Sequence, residues 1–445
     1  MFKTLKNAWK IEEIQNKILF TLLIILLYRL GSAIPVPYVQ AGILDSFNAA
    51  YGGTIFNYMS ILSGGAMAQA TLFALSVSPY ITSSIVIQLL TVAFPDSLGK
   101  LAKEGEEGQK KIKKYTRWVT VAIAIVTAYG YTALLANNGW LDTGYITWKG
   151  MWASNGFAGT VNTLVIISSY VAGAAIIMWL AELIDAKGIG NGISMILFFN
   201  IISRGPAIVA SLWQMTFFNK NGLVVGLILG LLSIAITAGM VLLVVWVTHS
   251  ERRIPIQYAK RVVGRKMYGG QGTHLPIKLN MTGVMPIIFA SSIVSVPATI
   301  ATFFDEKNGF RVFVEKWLGP QSWIYVILYI VLIVAFAYFY ILISFNPMEV
   351  ANNIKNNGGA VPGIRTGRPT AEYITKILNR ITLIGAFFLI VVAGLPMIIN
   401  IISGGTFAGL AFGGSSLLIV VGVAIETFRD IEAQITMRNY KGFLD

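Results

Sequence analysis

The residue types on which most enzyme chemistry depends are scarce in this chain of 445 residues. Cysteine is absent, which excludes disulfides, thiolate metal sites and cysteine nucleophiles. The only imidazoles are His249 and His274, too few for a histidine-built metal site, and we expect both at polar loop or helix-end positions. The sequence also lacks a Gly-Lys-Ser/Thr phosphate-binding loop and an HExxH zinc motif. We therefore predict no catalytic residue, no metal site and no cofactor, and we expect that the chain is not an enzyme.

Charged side chains are equally rare inside the apolar segments of the chain. Arg29, Glu182, Arg204 and Glu426 all fall near the expected ends of helices, from which they can reach a membrane surface. A transporter that couples solute movement to ions places such groups near the middle of the bilayer, and a selective ion pore carries a ring of charges or a filter motif. A secondary transporter or solute channel is the alternative function for this chain. The scarcity of charged residues inside its apolar segments argues against that alternative.

The elements that must position these residues are long apolar segments. Hydrophobic residues make up 55% of the chain and charged residues 12%, and the mean hydropathy is +0.69. Stretches of about 20 apolar residues match a hydrocarbon core about 30 Å thick, where only internally hydrogen-bonded structures such as helices are stable. The sequence predicts an all-α polytopic membrane protein with ten transmembrane helices, near residues 17–35, 72–94, 117–136, 159–181, 190–211, 222–247, 283–304, 322–345, 375–400 and 406–427.

The distribution of Lys and Arg indicates how these helices are oriented. With the N-terminus in the cytoplasm, 27 of the 34 Lys and Arg residues lie in cytoplasmic segments and 6 on the opposite side, while Arg29 lies inside the first helix. An excess of positive charge marks the cytoplasmic side of a membrane protein. We therefore expect both termini in the cytoplasm, residues 1–16 as an amphipathic segment on the membrane surface and residues 429–445 as a tail.

Three cytoplasmic segments are long and basic, namely 95–117, 248–282 and 346–380. Anchoring to anionic lipid is a sufficient explanation for the first, where acidic residues dilute the positive charge. The 248–282 segment mixes basic residues with Ile, Tyr, Pro and Val, and its length suggests a folded projection. We favour docking of this projection onto RNA phosphates or an acidic protein over the anchoring alternative.

The second apolar region, residues 54–94, is too long for one span and too short for two. The pattern predicts a short helix at Ile55–Leu62, a break at Ser63-Gly64-Gly65 and a full span after about Thr71. A half-helix at membrane depth persists only where protein or a water-filled cavity surrounds it. From the residues alone, a re-entrant decoration and a segment belonging to a pore are equally good interpretations.

Eight strings, in this order and spacing, resemble the SecY family of protein-conducting channels over essentially the whole chain. They are RLGSAIPVP (29–37), SGGAMAQATLFAL and PYITSSIVIQLL (within 63–90), KEGEEGQKKI (103–112), KGIGNGISMILF (187–198), THLPIKLNMTGVMPIIFASS (273–292), FNPMEVANNIKNNGGAVPGIRTG (345–367) and GGSSLLIVVGVAIETF (413–428). Each string alone is weak, whereas the whole set is highly specific.

The resemblance implies two five-helix halves with inverted pseudo-symmetry around a central pore, here residues 17–211 and 212–428, the second with cytoplasmic loops 248–282 and 346–374. Such a channel moves unfolded polypeptides across the bacterial plasma membrane and releases transmembrane segments sideways into lipid. The resemblance also implies an apolar pore ring formed by Val77, Ile81, Ile193, Leu197, Ile288 and Ile419. Within this ring, Val77 and Leu197 depart from the family's usual Ile. A narrow aliphatic ring excludes water and ions without binding a passing peptide. It also implies a plug near residues 55–69 that seals the resting channel, with Ile55, Phe56, Tyr58, Met59, Ile61, Leu62, Gly64 and Gly65 as its residues.

The same resemblance assigns a lateral gate and several partners. Spans two and seven would form the lips of the gate, with Gln88 and Asn191 as polar residues near it, although ordinary interhelical hydrogen bonds are an alternative for both. Arg365 would engage the SecA motor ATPase, and Arg265 and Lys266 would contact the ribosome; surface anchoring is the alternative for Arg365. The implied partners also include small membrane subunits of the SecE and SecG type, signal sequences, unfolded polypeptide substrates and the lipid bilayer.

Overall fold

The structure is a computed structural model, and it describes residues 8–40, 42–51, 55–94, 96–141, 156–217, 223–258, 261–263, 266–268, 272–301, 304, 308–319, 322–402 and 413–441. Within these residues the chain forms sixteen helices and five strands. The first nine helices are α1 (Glu12–Gly31), α2 (Leu44–Tyr51), α3 (Ile55–Leu62), α4 (Ser78–Ala93), α5 (Leu98–Lys103), α6 (Glu106–Asn137), α7 (Gly156–Lys187), α8 (Gly192–Ser203) and α9 (Gly205–Phe217). The remaining helices are α10 (Leu223–His249), α11 (Met285–Ala301), α12 (Gly309–Trp317), α13 (Trp323–Ser344), α14 (Pro347–Asn356), α15 (Arg368–Ile402) and α16 (Gly413–Lys441). The strands are β1 (Glu251–Tyr258), β2 (Arg261–Val263), β3 (Lys266–Tyr268), β4 (Gly272–Lys278) and β5 (Gly359–Ala360).

The helices account for the apolar segments that the sequence predicts to cross a membrane. Among the described residues, six helices are long and apolar enough to span a bilayer, and α4 and α11 are shorter apolar helices. Each of the ten predicted segments coincides with one helix or, for the fifth segment, with two consecutive helices. The prediction of a helical polytopic membrane protein is confirmed, whereas the count of ten spans stays a prediction.

Several helices are longer than the hydropathy pattern indicates. Helix α6 has 32 residues and begins at Glu106, eleven residues before the predicted span. At 1.5 Å per residue it is about 48 Å long, well beyond a hydrocarbon core of about 30 Å. Likewise, α1 begins at Glu12, so residues 12–16 continue into the first span instead of forming a separate surface helix. Hydropathy locates the part of a helix that lies in lipid, and the helix itself continues into water.

Two predicted spans have different boundaries in the structure. The second span was expected from residue 72, but α4 begins only at Ser78, because Ser76 has a positive φ of 51° and Pro79 occupies the first turn. The fifth span, predicted as one helix over 190–211, is divided at Arg204 into α8 and α9. Pro206 lies in the first turn of α9, and it has no N–H to donate to the carbonyl oxygen of Ile202, as a continuous helix would require.

The membrane body is organised around one large core of buried aliphatic and aromatic side chains, drawn from nearly every long helix. A second, smaller core belongs to the region around the strands. There, β1 pairs antiparallel with β4 over seven residue pairs and, on its other edge, with β5, giving the order β4-β1-β5. Ile254, Ile256 and Ile277 of this sheet pack against Ile354 and Ile374 of the neighbouring helices. The predicted folded projection in 248–282 is therefore confirmed, as a β-sheet with its own core.

Candidate functional site

Four of the six predicted ring residues come together at the centre of the membrane body. Ile81 of α4, Leu197 of α8, Ile288 of α11 and Ile419 of α16 line one small cavity of about 40 Å³. All four side chains are at most 6% exposed. Because each comes from a different helix, the four aliphatic side chains approach one another from different directions. The cavity is large enough for only one or a few water molecules, and its lining offers them mostly hydrocarbon.

The other two predicted ring residues lie close by but do not line this cavity. Val77 is 1% exposed and immediately precedes α4 instead of lying within the helix as predicted. Ile193 is half-buried in the first turn of α8 and packs against the main core.

The sequence reasoning missed three serines of α11 that share the same cavity. Ser291, Ser292 and Ser295 line it together with Ile288. The Ser291 hydroxyl donates to the carbonyl oxygen of Ile288 at 2.8 Å, and the Ser295 hydroxyl to that of Ser292 at 2.7 Å. Hydroxyls that bond to their own helix need no other partner and leave a small, weakly polar surface. Their spacing in FASSIVS was the available sequence signal, because small residues recur there at helical intervals.

The predicted short helix closes this cavity from one side. Helix α3 spans Ile55–Leu62, as the sequence indicates, and the chain leaves the helical conformation at Ser63. Met59 and Leu62 line the cavity, Phe56 is 8% exposed and Ile61 is half-buried. The side chains of Ile55 and Tyr58 lie outside the described part of the structure.

The end of α3 rests in a polar seat that sequence reasoning did not anticipate. The Asn200 side-chain amide of α8 donates to the carbonyl oxygen of Leu62 at 2.9 Å and to the Tyr28 hydroxyl at 2.9 Å. The Arg29 guanidinium of α1 donates to the carbonyl oxygen of Gly64 at 3.4 Å. Asn200 is 1% exposed, so its side-chain amide is shielded from solvent. We call the group Tyr28, Arg29 and Asn200 the plug seat.

Gly64 is fitted closely to the plug seat. Its φ is +67°, and a Cβ atom at this position would lie 2.9 Å from Arg29 Nη1, 3.0 Å from Asn200 Oδ1 and 3.2 Å from Ser203 Oγ. Gly65 also has a positive φ of +92°, yet a Cβ atom there would meet nothing within 4 Å. Both glycines therefore permit the turn, and only Gly64 also permits close approach to the seat.

The segment 63–77, between α3 and α4, is fixed to the N-terminal helices by two tyrosines. The Tyr131 hydroxyl of α6 donates to the carbonyl oxygen of Met67, and the Tyr170 hydroxyl of α7 to that of Ala70 at 3.5 Å. Both rings are buried and contact each other edge to face, with centroids 5.3 Å apart. Two buried tyrosines thus attach this segment to α6 and α7.

A larger apolar cavity of about 510 Å³ lies beside α3, between α4, α6 and α11. Its lining includes Phe56, Val86, Val126 and Ile300, of which the last three are between 37% and 55% exposed. Helices α4 and α11 are the two predicted lips of the gate, and the cavity runs between them to an exposed apolar surface. It offers a volume suited to an apolar segment several side chains long.

The two predicted polar gate residues make only local hydrogen bonds among the described residues. The Gln88 amide donates to Ser84 Oγ of the same helix at 3.4 Å, and its Oε1 atom is buried without a partner. Asn191 caps α8, since its side-chain oxygen accepts from the backbone N–H of Ser194 at 3.1 Å. The interhelical hydrogen bonds considered as an alternative do not form in this part of the structure.

The four ionisable residues predicted near helix ends have distinct environments. Arg29 belongs to the plug seat, and Glu182 pairs with Arg117 at 2.7 Å. Arg204 ends α8, and its Nη1 atom is buried without a hydrogen-bond partner among the described residues. Glu426 lines a cavity of about 120 Å³ at the base of the β-sheet, together with Lys278 and Arg429.

The base of the sheet is joined to the membrane helices by this group. Arg429 Nη2 of α16 donates to the carbonyl oxygen of Thr248 at the end of α10, at 3.0 Å. Partial burial is the main cause that lowers the pKa of Lys278, and the nearby Arg429 lowers it further. The mixed charges give the sheet a polar attachment to α10 and α16.

The two basic segments predicted to dock partners lie side by side. Strand β5 of the 346–380 segment pairs with Gln257 and Tyr258 of β1. Arg365 is exposed in the turn after β5, and its backbone carbonyl oxygen accepts a hydrogen bond from the Thr370 hydroxyl at 2.8 Å. Arg265 lies outside the described residues, and Lys266 begins β3, although its side chain is not described.

The helical body, its small apolar cavity, the helix that closes it and the lateral apolar opening define a polytopic membrane protein of the channel class. A sequence model of the SecY family matches residues 71–428. The chain is 43% identical to the protein translocase subunit SecY of Streptomyces galbus and 41% identical to that of Mycobacterium tuberculosis H37Rv, each time over 100% of both chains. The chain therefore belongs to the SecY family.

Solved structures agree with this assignment at the level of the fold. The match to "The structure of a protein conducting channel" has a TM-score of 0.65 at 18% identity and covers 94% of this chain and 92% of the other. The match to "Sec61 in the Canine ribosome-channel complex from the endoplasmic reticulum" has a TM-score of 0.60 at 17% identity, with the same coverage.

Proposed function

We propose that this chain is the channel subunit of a protein translocase, through which unfolded polypeptides cross the plasma membrane of a bacterium. The observation that carries the proposal is the convergence of Ile81, Leu197, Ile288 and Ile419 on a cavity of about 40 Å³ that α3 closes. A constriction of this kind excludes hydrated ions, yet presents no charge to which a passing chain would bind. The relatives named above, protein translocase subunits that match this chain over 100% of both lengths, support the same function.

The resting channel is sealed in this proposal by the aliphatic ring together with the plug. Helix α3 acts as the plug, and the segment 63–77 is its fixed attachment. Opening requires α3 to leave the plug seat, which breaks the bonds from Asn200 to Leu62 and from Arg29 to Gly64. The turn at Gly64 and Gly65 is the hinge about which α3 moves, because glycine adopts both positive and negative φ values readily.

Lateral release of transmembrane segments takes place in this proposal between α4 and α11. The apolar cavity of about 510 Å³ between these helices supports the assignment, since its lining suits an apolar helix. Gln88 and Asn191 are retained as residues near this gate.

The β-sheet and the turn after β5 form the docking surface for the source of energy. We assign Arg365 to the SecA motor, and Arg265 and Lys266 to the ribosome, with SecE-type and SecG-type subunits as membrane partners. The support is the exposure of Arg365 on a rigid two-segment platform. Both termini and this platform lie in the cytoplasm, as the distribution of positive charge indicates.

The test replaces ring residues and measures ion leak. Ile81→Ser with Ile288→Ser should wet the constriction, so that single-channel recordings in planar bilayers show ion conductance without a translocating polypeptide. The matched control is Ile327→Ser with Val331→Ser in α13, where both side chains are about 60% exposed. Equal leak from the two pairs, or no leak from the first pair, would remove the basis for the ring.

A further inference from the structure

Helix α12 joins α11 and α13 at the end of both helices that is remote from the β-sheet. Helix α11 begins shortly after β4, and α13 ends just before α14 and β5. Both helices therefore run from the sheet to α12, and a connection of five residues, 318–322, separates α12 from α13. Such a connection reaches at most about 17 Å, so α12 must lie near the level at which these membrane helices end.

One face of α12 is fixed to the body of the protein. Val314 is 3% exposed within the main core, and the side chain of Arg311 is buried and donates to the carbonyl oxygen of Phe304 at 3.3 Å. The N-terminus is capped by Asn308, whose side chain accepts from the N–H of Phe310 at 3.0 Å. The helix is therefore held in one orientation, and its outer faces are defined.

The flank next to this buried face is aromatic and uncovered. Phe310, Phe313 and Trp317 recur at the spacing of helical turns and are 41%, 55% and 43% exposed. Lys316 lies beside them, with its ammonium 5.7 Å from the centre of the Trp317 ring. A stripe of large exposed aromatic side chains of this size requires a partner.

The aromatic stripe is continuous with the apolar surfaces of the two membrane helices. The Phe310 ring contacts that of Phe304, with centroids 5.4 Å apart, and the exposed Ile300 of α11 precedes Phe304 in the chain. At the other end, α13 begins with the exposed Trp323 and presents Ile327, which is 60% exposed. Aromatic rings and a Lys amine at the ends of membrane helices are typical of the boundary between lipid and water.

We propose that α12 is an interfacial helix whose partner is the lipid leaflet remote from the β-sheet. Phe310, Phe313 and Trp317 lie among the upper parts of the acyl chains, and Lys316 reaches the lipid phosphates. An amphipathic helix of this kind is immersed by about 5–10 Å. Through Arg311 and the Phe304–Phe310 contact, lipid bound by α12 also fixes the height of α11 in the membrane. The proposal requires a membrane protein and is independent of the proposed channel function.

The absence of native cysteine allows a direct test with single labels. Phe313→Cys and Val312→Cys are labelled with bimane in the full-length protein, which is reconstituted in phosphatidylcholine–phosphatidylglycerol vesicles. The two side chains are matched, since they lie on the same helix and are 55% and 49% exposed. At position 313 we expect blue-shifted emission, protection from iodide and quenching by 5-doxyl lipid about threefold stronger than at position 312. Label at position 312 should emit as in water and be quenched by iodide.

Further positions make the outcome decisive. Labels at 310 and 317 should follow position 313, and a label at 316 should follow position 312. Iodide quenching without lipid quenching at 313 would overturn the proposal and indicate a protein partner for this face. Stronger quenching by 12-doxyl than by 5-doxyl lipid would also overturn it, because the helix would then be buried below the interface.

Discussion

At the scale of single residues, the buried polar side chains inside the membrane body make the most specific interactions. Aliphatic side chains pack in many places. A buried amide such as that of Asn200, in contrast, destabilises the folded protein unless it finds hydrogen-bond partners. Asn200 donates to two partners: the Tyr28 hydroxyl of α1 and the carbonyl oxygen of Leu62 at the end of α3. In the proposed channel, the second bond exists only while α3 is in the plug seat, so its free energy favours the closed state.

We expect that Asn200→Leu will weaken closure. The change removes the amide donor, and among the described residues it leaves the carbonyl oxygen of Leu62 with only the long contact from the Ser76 hydroxyl, at 3.5 Å. A net hydrogen bond is worth roughly 1 kcal/mol, which corresponds to an increase of about fivefold in the open fraction. The measurement is ion leak through the reconstituted channel without substrate. As a control, Thr132→Val removes an equally buried hydroxyl that bonds within its own helix, at 2.8 Å to Ala128. Equal leak in both variants would contradict the role of Asn200.

At the scale of elements, the turn between α3 and α4 decides how the plug can move. The segment 63–77 is not helical, has positive φ values at Ala70 and Ser76, and is tied to α6 and α7 by Tyr131 and Tyr170. Strained backbone of this kind persists only where surrounding contacts hold it. In the proposed channel, movement is therefore confined to α3 and the two glycines after it.

The two glycines allow the contribution of the seat to be separated from that of backbone strain. Gly64→Ala and Gly65→Ala both place a side chain at positive φ, at a cost of about 1–2 kcal/mol each. Only the new Cβ at position 64 would lie as close as 2.9 Å to Arg29 Nη1 and 3.0 Å to Asn200 Oδ1, so the seat must shift to accommodate it. We expect clear ion leak in planar bilayers from Gly64→Ala and much less from Gly65→Ala. The reverse order would show that the seat does not hold the plug.

The sheet is the second element with a testable role. Its pairing with β5 presents Arg365 on a rigid support, while the charge itself is exposed and contributes little to stability. We expect Arg365→Glu to cripple motor-driven secretion at unchanged protein level, measured by transport of a secretory precursor into inverted vesicles. Lys355→Glu makes the same charge change on exposed α14 and should transport normally. If both variants transport equally, net charge and not Arg365 governs docking.

At the scale of the whole molecule, the proposed orientation rests on the excess of basic residues on one side. The structure adds that α11 and α13 connect the basic sheet with α12, so Lys355 and Lys316 lie near opposite ends of α13. With the sheet in the cytoplasm, Lys316→Cys in intact cells should react with a membrane-impermeant maleimide. Lys355→Cys should react only after the membrane is permeabilised. Reaction at 355 and not at 316 would invert the proposed topology.

The sequence by itself determined the class of protein, the helical segments, the short helix Ile55–Leu62 and the family. These follow from local composition, since transfer of about 20 residues into lipid depends on their own hydropathy, and from motifs that can be read in order. It placed Ile81, Leu197, Ile288 and Ile419 in one group only through the family resemblance, and in the structure these four side chains line one cavity. Only the tertiary structure decided that α4 starts after Val77, that α8 ends at Ser203, and that Asn191 caps a helix.

The plug seat shows why such details were out of reach. Asn200 and Leu62 are 138 residues apart, and the amide hydrogen bond between them depends on how three helices pack. No pattern within either segment encodes that distance, because side-chain contacts across a bundle are set by helix positions and crossing angles. The β-sheet and the outward face of α12 were decided in the same way. Each depends on which surfaces the rest of the fold leaves free, and that is a property of the assembled molecule.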